Sequence, residues 1–221
     1  MGDENAADNY RRIRDALPPE VQIVVAAKGR LGPEIAEVVR AGATLIGENY
    51  VQDAQRHYAE LGELTGEVEW HLIGHLQRNK INQALPMFTM IQSLDSTRLA
   101  RGLNKRADEP VPTLVEVNIA GEESKQGVPP AEVRELLEEA ADLERVRVEG
   151  LMTMEPYSED PEDARPHFRR MRELFEHLKQ FDSPNVRMQT LSMGMTNSYE
   201  VAVEEGANMV RLGTAIFGPR R

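Results

Sequence analysis

A closed (β/α)8 barrel is the fold this sequence predicts, on three observations. Short apolar or β-branched runs alternate with longer segments of helical period from about Val21 to the C-terminus, the pattern of repeated βα units. The strand candidates number eight, and right-handed crossovers between eight such strands close economically into a barrel, with 221 residues near the lower size limit for one. The first strand is followed by Lys28-Gly29-Arg30-Leu31-Gly32, which lacks the third glycine of a dinucleotide fingerprint and is no P-loop. An open doubly wound sheet, the alternative, loses support there.

In chain order, a helix over 5–17 comes first and is stopped by Pro18-Pro19. Strand one takes 21–27, and Pro33, suited to a first helical turn, opens a helix over 33–41 that Gly42 ends. Strand 44–47 leads into helix 50–62, with Gly66 marking the break before strand 69–73. Helix 77–85 and strand 90–93 follow, their uncharged stretch 81–94 interrupted by Asn82, Gln83, Pro86 and Gln92. Helix 96–107 precedes strand 111–118, and Pro129 opens the helix over 129–142. Strand 147–151 runs into an acidic stretch, 152–166, carrying Pro156, Pro161 and Pro166. It reads as a mobile loop rather than a linker. Helix 161–181, strand 186–192, helix 197–206 ended by Gly206, and strand 209–213 complete the pattern. One domain over 1–221 is expected, with residues 1–20 forming a helix and lead-in.

Composition excludes several functional classes. Lys and Arg total 26 against 37 Asp and Glu, a net charge of −11, and a phosphate-backbone binder needs clustered basic residues instead. Arg165 to Arg172, the nearest candidate, is interleaved with Pro166, His167 and Phe168 and reads as a solvated helix face. We expect no nucleic-acid partner. No apolar run reaches the roughly 18 residues that span a bilayer, so no membrane partner is expected either. The start, Met1-Gly2-Asp3-Glu4-Asn5-Ala6, is acidic rather than basic, and Ala6 stands where a myristoylation signal wants Ser or Thr. There is no cysteine, hence no disulfide, thiol nucleophile or thiolate metal site. A cytoplasmic monomer or weak dimer is the expectation. Only five basic residues are lysines, Lys28, Lys80, Lys105, Lys125 and Lys179, which makes a lysine inside an apolar segment worth explaining.

Barrel active sites lie at the C-terminal ends of the strands. Strand one ends at Lys28, strand two at Glu48-Asn49, strand three at Gly74-His75, strand four at Gln92-Ser93, strand five at Asn118, strand six at Met152-Thr153, strand seven at Ser192 and strand eight at Gly213-Thr214. Lys28 shares the strand face of Val24 and Ala26. A partly desolvated amine there is suited to attack a carbonyl and form a Schiff base, whereas the plainer reading is a lysine extending its stem into solvent. Leu191 to Ser198 leaves strand seven with Gly194 in the turn and Thr196 or Asn197 as N-cap. Its backbone N–H groups and the Ser192 hydroxyl would make an anion site. Gly213 and Thr214 repeat the arrangement after strand eight, and barrels often bind phosphate between these two loops. Both are otherwise ordinary turns.

Arg211 shares the face of Gly213 and needs a partner, either an inward carboxylate such as Glu116 or Glu48, or a ligand. An amine, a dianion site and an interior arginine together describe pyridoxal 5′-phosphate: Lys28 on the aldehyde, the two loops on the phosphate, Arg211 on the pyridine nitrogen. Because arginine keeps its proton, it would leave that nitrogen unprotonated and weaken the cofactor as an electron sink. His71 and His75 straddle a predicted strand-to-helix turn with no Glu between them, so no metal site is expected, and His75 is read as a rim residue. Trp70 and Met152, Met154, Met193 and Met195 are read as packing.

Seven collinear blocks carry a resemblance: Val25-Ala26-Ala27-Lys28, Ile46-Gly47-Glu48-Asn49-Tyr50-Val51-Gln52, the run from Trp70 through Gly74-His75-Leu76-Gln77-Arg78-Asn79 to Lys80, Val115-Glu116-Val117-Asn118-Ile119, Gly150-Leu151-Met152, Leu191-Ser192-Met193-Gly194-Met195, and Val210-Arg211-Leu212-Gly213-Thr214 on to Gly218. From about Ile23 onward the sequence closely resembles the pyridoxal 5′-phosphate homeostasis proteins, whose fold is similar to the N-terminal barrel of bacterial alanine racemases. The resemblance implies that Lys28 forms the internal aldimine, that Arg211 faces the pyridine nitrogen, that Ser192, Gly194, Gly213 and Thr214 hold the phosphate, and that Asn49 lies near the ring. It implies a protein that binds the cofactor and delivers it to apo-enzymes, without robust catalysis of its own. A pyridoxal phosphate-dependent amino-acid racemase is the competing class, with a second base from a partner subunit or Tyr157, and an empty barrel is the third. Three positions depart from the family pattern: Ala27 replaces a Ser or Thr, Ser198 stands where an Asp is expected, and His75 where some members have Pro.

Overall fold

The computed structural model describes residues 5–122, 126–181 and 183–219. The acidic start from Met1 to Glu4, Lys125 and the terminal Arg220 and Arg221 lie outside them. The elements run α1 (Ala6–Ala16), β1 (Gln22–Ala26), α2 (Gly32–Arg40), β2 (Leu45–Glu48), α3 (Val51–Leu61), β3 (Glu69–Leu72), α4 (Ile81–Ala84), β4 (Met90–Leu94), α5 (Thr97–Asn104), β5 (Val111–Glu116), α6 (Val133–Ala141), β6 (Val146–Met152), α7 (Arg165–Leu178), β7 (Val186–Ser192), α8 (Tyr199–Glu204), β8 (Met209–Leu212) and α9 (Thr214–Phe217). The eight strands are parallel, each pairs with the next, and β1 pairs with β8. That last pairing closes the barrel and removes the open sheet.

The period of two along each strand sorts side chains into two layers. On β1, Ile23 and Val25 face the helices, while Val24 faces inward beside Leu45, Ile73, Met90, Leu114, Met152 and Met209. Each such side chain taken from water contributes about 1.5–3 kcal/mol. Trp70 belongs to the outer layer, its ring 4.7 Å from that of Tyr58 on α3. Gly150 is required by close approach: at the irregular register between β6 and β7, an added Cβ would lie 1.9 Å from the Thr190 carbonyl oxygen.

The sequence expectations differ from the structure chiefly at helix ends. The segment 77–85 becomes a single 3-10 turn, Arg78–Lys80, followed by the four-residue α4. The loop over 152–166 contains a 3-10 turn, Pro161–Ala164, capped by the Asp160 carboxylate accepting from the Glu162 N–H at 2.9 Å. The eighth helix begins at Tyr199 rather than Asn197, because 195–198 is spent on a turn in which the Ser198 N–H bonds the Met195 carbonyl at 2.9 Å. After β8 comes α9, four residues long, and α1 fills the remaining outer position between α9 and α2. Asn9 Nδ2 bonds the Ile216 carbonyl at 3.0 Å, and Tyr10 OH the Gly42 carbonyl at 3.3 Å. Three arginines of the basic segment at the start of α7 are paired with neighbouring carboxylates. Arg165 pairs with Glu162, Glu204 and Glu205, Arg169 with Glu205, and Arg172 with Glu176. Among the described residues, no helix is long and apolar enough to cross a membrane.

Candidate functional site

The C-terminal ends of β1, β2, β6, β7 and β8 enclose a cavity of about 530 Å³, within the range of small-molecule sites. Lys28, Asn49, Arg211, Gly213 and Thr214 all line it. Lys28 is partly buried, in the turn just beyond β1, with Nζ 5.5 Å from the centre of the Tyr50 ring. Asn49 follows β2, and Gly74 lets the end of β3 close against it: a Cβ on Gly74 would stand 2.3 Å from the Asn49 carbonyl oxygen.

Arg211 forms the floor. It is 4% exposed, donating through Nη1 to Ser192 Oγ at 2.8 Å and through Nη2 to the Thr153 carbonyl at 2.7 Å. The Ser192 hydroxyl donates in turn to Gln92 Oε1 at 2.8 Å, and Gln92 Nε2 is 2.9 Å from His71 Nδ1. Burial pulls His71 down to about 4, so it is neutral at pH 7 and Nδ1 accepts from the Gln92 amide. This chain fixes the plane of the guanidinium from below. Burial also lowers Arg211 from its ordinary value, against the opposing charges of Glu155 and Glu116, but arginine's starting value is high enough to keep the charge.

Glu116, at the inner end of β5 and 5% exposed, is pushed up to about 7 by burial, with the Asp95 carboxylate adding to the rise and Arg211 and His75 opposing it. The folded protein therefore holds this proton more tightly than the unfolded chain. With the folded value raised, stability from this group is present at low pH and is lost as pH rises from about 4.5 through about 7. Glu116→Gln should exceed the wild type in stability at pH 8 by up to about 3 kcal/mol, with the excess gone near pH 4. Urea unfolding at both pH values checks this, and an equal difference at both would contradict it.

Ser192 and Gly194 stand behind the cavity wall. The Ser192 hydroxyl is engaged by Arg211 and Gln92. Gly194, at φ +92°, lets the loop turn against α8, where a Cβ would meet that of Ala202 at 2.5 Å. Neither Thr196 nor Asn197 is the N-cap of α8; both line the cavity, and Thr196 Oγ1 accepts the Ala215 N–H at the start of α9 at 3.1 Å, tying the seventh loop to the eighth. Ser198 performs the loop-fixing expected of an Asp. Its hydroxyl accepts from the Met195 N–H at 3.1 Å and donates to the buried Glu155 carboxylate. Ser198→Ala should cost about 1–3 kcal/mol, the price of unmaking buried hydrogen bonds. Ser198→Asp should cost more at pH 8 than at pH 4, because it sets two carboxylates together. Thermal melts of both variants test the pair.

His75 sits at the rim, Nδ1 2.9 Å from Asp95 Oδ2. Arg30, which the sequence reading passed over, also lines the cavity and reaches the Gly218 carbonyl and the Phe217 ring. The exposed Tyr157 and Met154 also line the cavity. Among the described residues, no group of three or more His, Asp or Glu side chains is arranged to hold a metal ion.

The sequence pattern of the alanine racemase N-terminal domain matches residues 4–221. The chain belongs to that family. Within it, the chain is 44% identical over 208 residues to the pyridoxal phosphate homeostasis protein of Aquifex aeolicus, covering 93% of this chain and 84% of that one. It is 36% identical to the protein of the same name from Escherichia coli, covering 97% and 96%. Among solved structures, PipY of Synechococcus elongatus with PLP bound superposes with a TM-score of 0.88 at 33% identity, over 97% of this chain and all of that one. Alanine racemase of Clostridium difficile, at 15% identity and a TM-score of 0.77, shares the fold over 96% of this chain and 55% of its own.

Proposed function

We propose that this family member binds pyridoxal 5′-phosphate through Lys28 and hands it to apo-enzymes in the cytoplasm. The observation that carries the reading is the convergence of Lys28, Arg211, Gly213 and Thr214 on one cavity. It fits the cofactor's three features, an aldehyde for the amine, a ring nitrogen for the guanidinium and a phosphate for the loops after β7 and β8. The Synechococcus relative solved with PLP supports it. Bound there, the cofactor would supply a reactive aldehyde, which the Lys28 amine would hold reversibly.

The chain's own residues would divide the work. Gly213, Thr214 and the 194–197 loop hold the phosphate, Asn49 flanks the ring, and Arg211 presents a guanidinium to the ring nitrogen. Ser192 acts through Arg211, whose orientation it sets. A permanently charged donor at that nitrogen weakens the cofactor as an electron sink, which suits a carrier.

Transfer is the test. Protein loaded with pyridoxal phosphate and freed of excess should restore activity to an apo-enzyme faster than dissociation into buffer allows. Restoration no faster than release contradicts delivery. A racemase reading draws on Tyr157, which lines the cavity and could face Lys28 as a second base. Sustained, Lys28-dependent exchange of an amino acid's α-hydrogen with solvent deuterium would replace the carrier reading with that one.

A further inference from the structure

Behind the cavity, on the outer side of the barrel wall, Glu48 and His57 form a pair closed to water. Both are 0% exposed, and His57 Nδ1 lies 2.5 Å from Glu48 Oε1. Alternation along β2 puts Glu48 there: Leu45 faces the barrel interior, while Ile46 and Glu48 face outward, Glu48 toward α3. The other ring nitrogen, Nε2, is 3.0 Å from the Arg30 carbonyl oxygen and 3.3 Å from Nη2 of Arg56. Almost one helical turn further along α3, Glu60 Oε2 accepts the Gly32 N–H at 2.8 Å. Two side chains of α3 thus grip the backbone two and four residues after Lys28.

The two neighbours of Nε2 are of opposite kinds. A carbonyl only accepts and a guanidinium only donates, so Nε2 serves Arg30 when it carries a proton and Arg56 when it does not. Nδ1 faces a carboxylate and shares a proton with it in both states. We infer that His57 is a positioning residue for Lys28, holding the Arg30 carbonyl while the Glu48–His57 pair keeps its extra proton and turning to Arg56 when that proton leaves. The inference rests on the reading that Lys28 carries the cofactor.

The surroundings favour the holding state. Burial alone would lower His57, but the hydrogen bond and charge of Glu48 and the Arg30 carbonyl raise it, against Arg56. Burial likewise raises Glu48, whose Oε2 has no hydrogen-bond partner among the described residues. The other charges facing the pair are Asp53, Arg56 and Glu60 on α3, while the Arg30 guanidinium is directed away to the Gly218 carbonyl. Since the folded value of His57 is raised, the hold is complete below the ordinary histidine value and is lost as pH rises through the raised one.

Two variants separate this from a merely structural role. His57→Lys keeps a cation that can donate to both Glu48 and Arg30 but cannot accept from Arg56. Glu48→Gln removes the carboxylate that retains the proton. Amide hydrogen exchange over residues 28–32, corrected for intrinsic rates between pH 5.5 and 9.5, reads the hold in the cofactor-free protein. The visible absorbance of the C=N link reads its effect on cofactor affinity. In the wild type, both protection and affinity relative to His57→Lys should fall across the transition, by about tenfold for each pH unit by which the Arg30 contact itself raises the histidine. The fall should move to lower pH in Glu48→Gln and be absent in His57→Lys. Coincident profiles for wild type and His57→Lys, or an unmoved transition in Glu48→Gln, overturn the inference even where the cofactor binds. If no visible band forms in any of the three, the Lys28 reading fails instead, and the exchange profiles still decide whether His57 holds the Arg30 carbonyl.

Discussion

Lys28→Ala is expected to abolish the visible absorbance that the wild type develops with added pyridoxal phosphate, while leaving the fold intact. Lys28 sits in a turn beyond β1 and is partly exposed, and among the described residues its side chain makes no contact more binding than its approach to the Tyr50 ring at 5.5 Å. A substitution of that kind changes stability by about 0.5 kcal/mol. The loss of the amine is total by contrast, since among the described residues no other lysine lines the cavity. Absorbance titrations together with thermal melts check both halves. A variant that keeps the band would remove Lys28 from its central place, and one that loses the band by unfolding would make Lys28 structural.

Arg211→Met should destabilise the protein by about 3–5 kcal/mol, the cost of breaking a buried charge out of its network. The guanidinium holds Ser192 Oγ and the Thr153 carbonyl, and it opposes the rise of Glu116. Without it, Ser192 loses a donor, the Thr153 carbonyl loses a partner, and Glu116 takes up its proton at higher pH. Urea unfolding measures the first effect, and the titration of Glu116 followed by carbon NMR measures the second. Stability unchanged within 1 kcal/mol, with Glu116 unmoved, would show that the network beneath the cavity is not organised around Arg211.

The barrel was legible because eight strands that face both a packed interior and a layer of helices must be apolar on both sides, and such runs stand out between amphipathic segments. Lys28 and Arg211 were legible for a related reason: in strands or strand ends of Val, Leu and Ala, one basic residue of inward parity is conspicuous. The two loops were legible by position, following strands seven and eight. What lay hidden depends on partners distant in sequence. Ser192 was read as a phosphate ligand because hydroxyls at strand ends often are. Its engagement by Gln92, a hundred positions away, leaves no local trace. The Ser198 and Glu155 contact is of the same kind, as is the grip of His57 on Arg30. Thr196 was visible but assigned to a helix start, because a turn closed by a side chain three residues on looks like a cap.

Reduction of the wild-type protein with borohydride in the presence of pyridoxal phosphate, followed by peptide mass analysis, reads the anchoring residue itself. One stoichiometric pyridoxyl adduct is expected, on Lys28. An adduct confined to Lys80, Lys105, Lys125 or Lys179, or none at all, would take that role from Lys28.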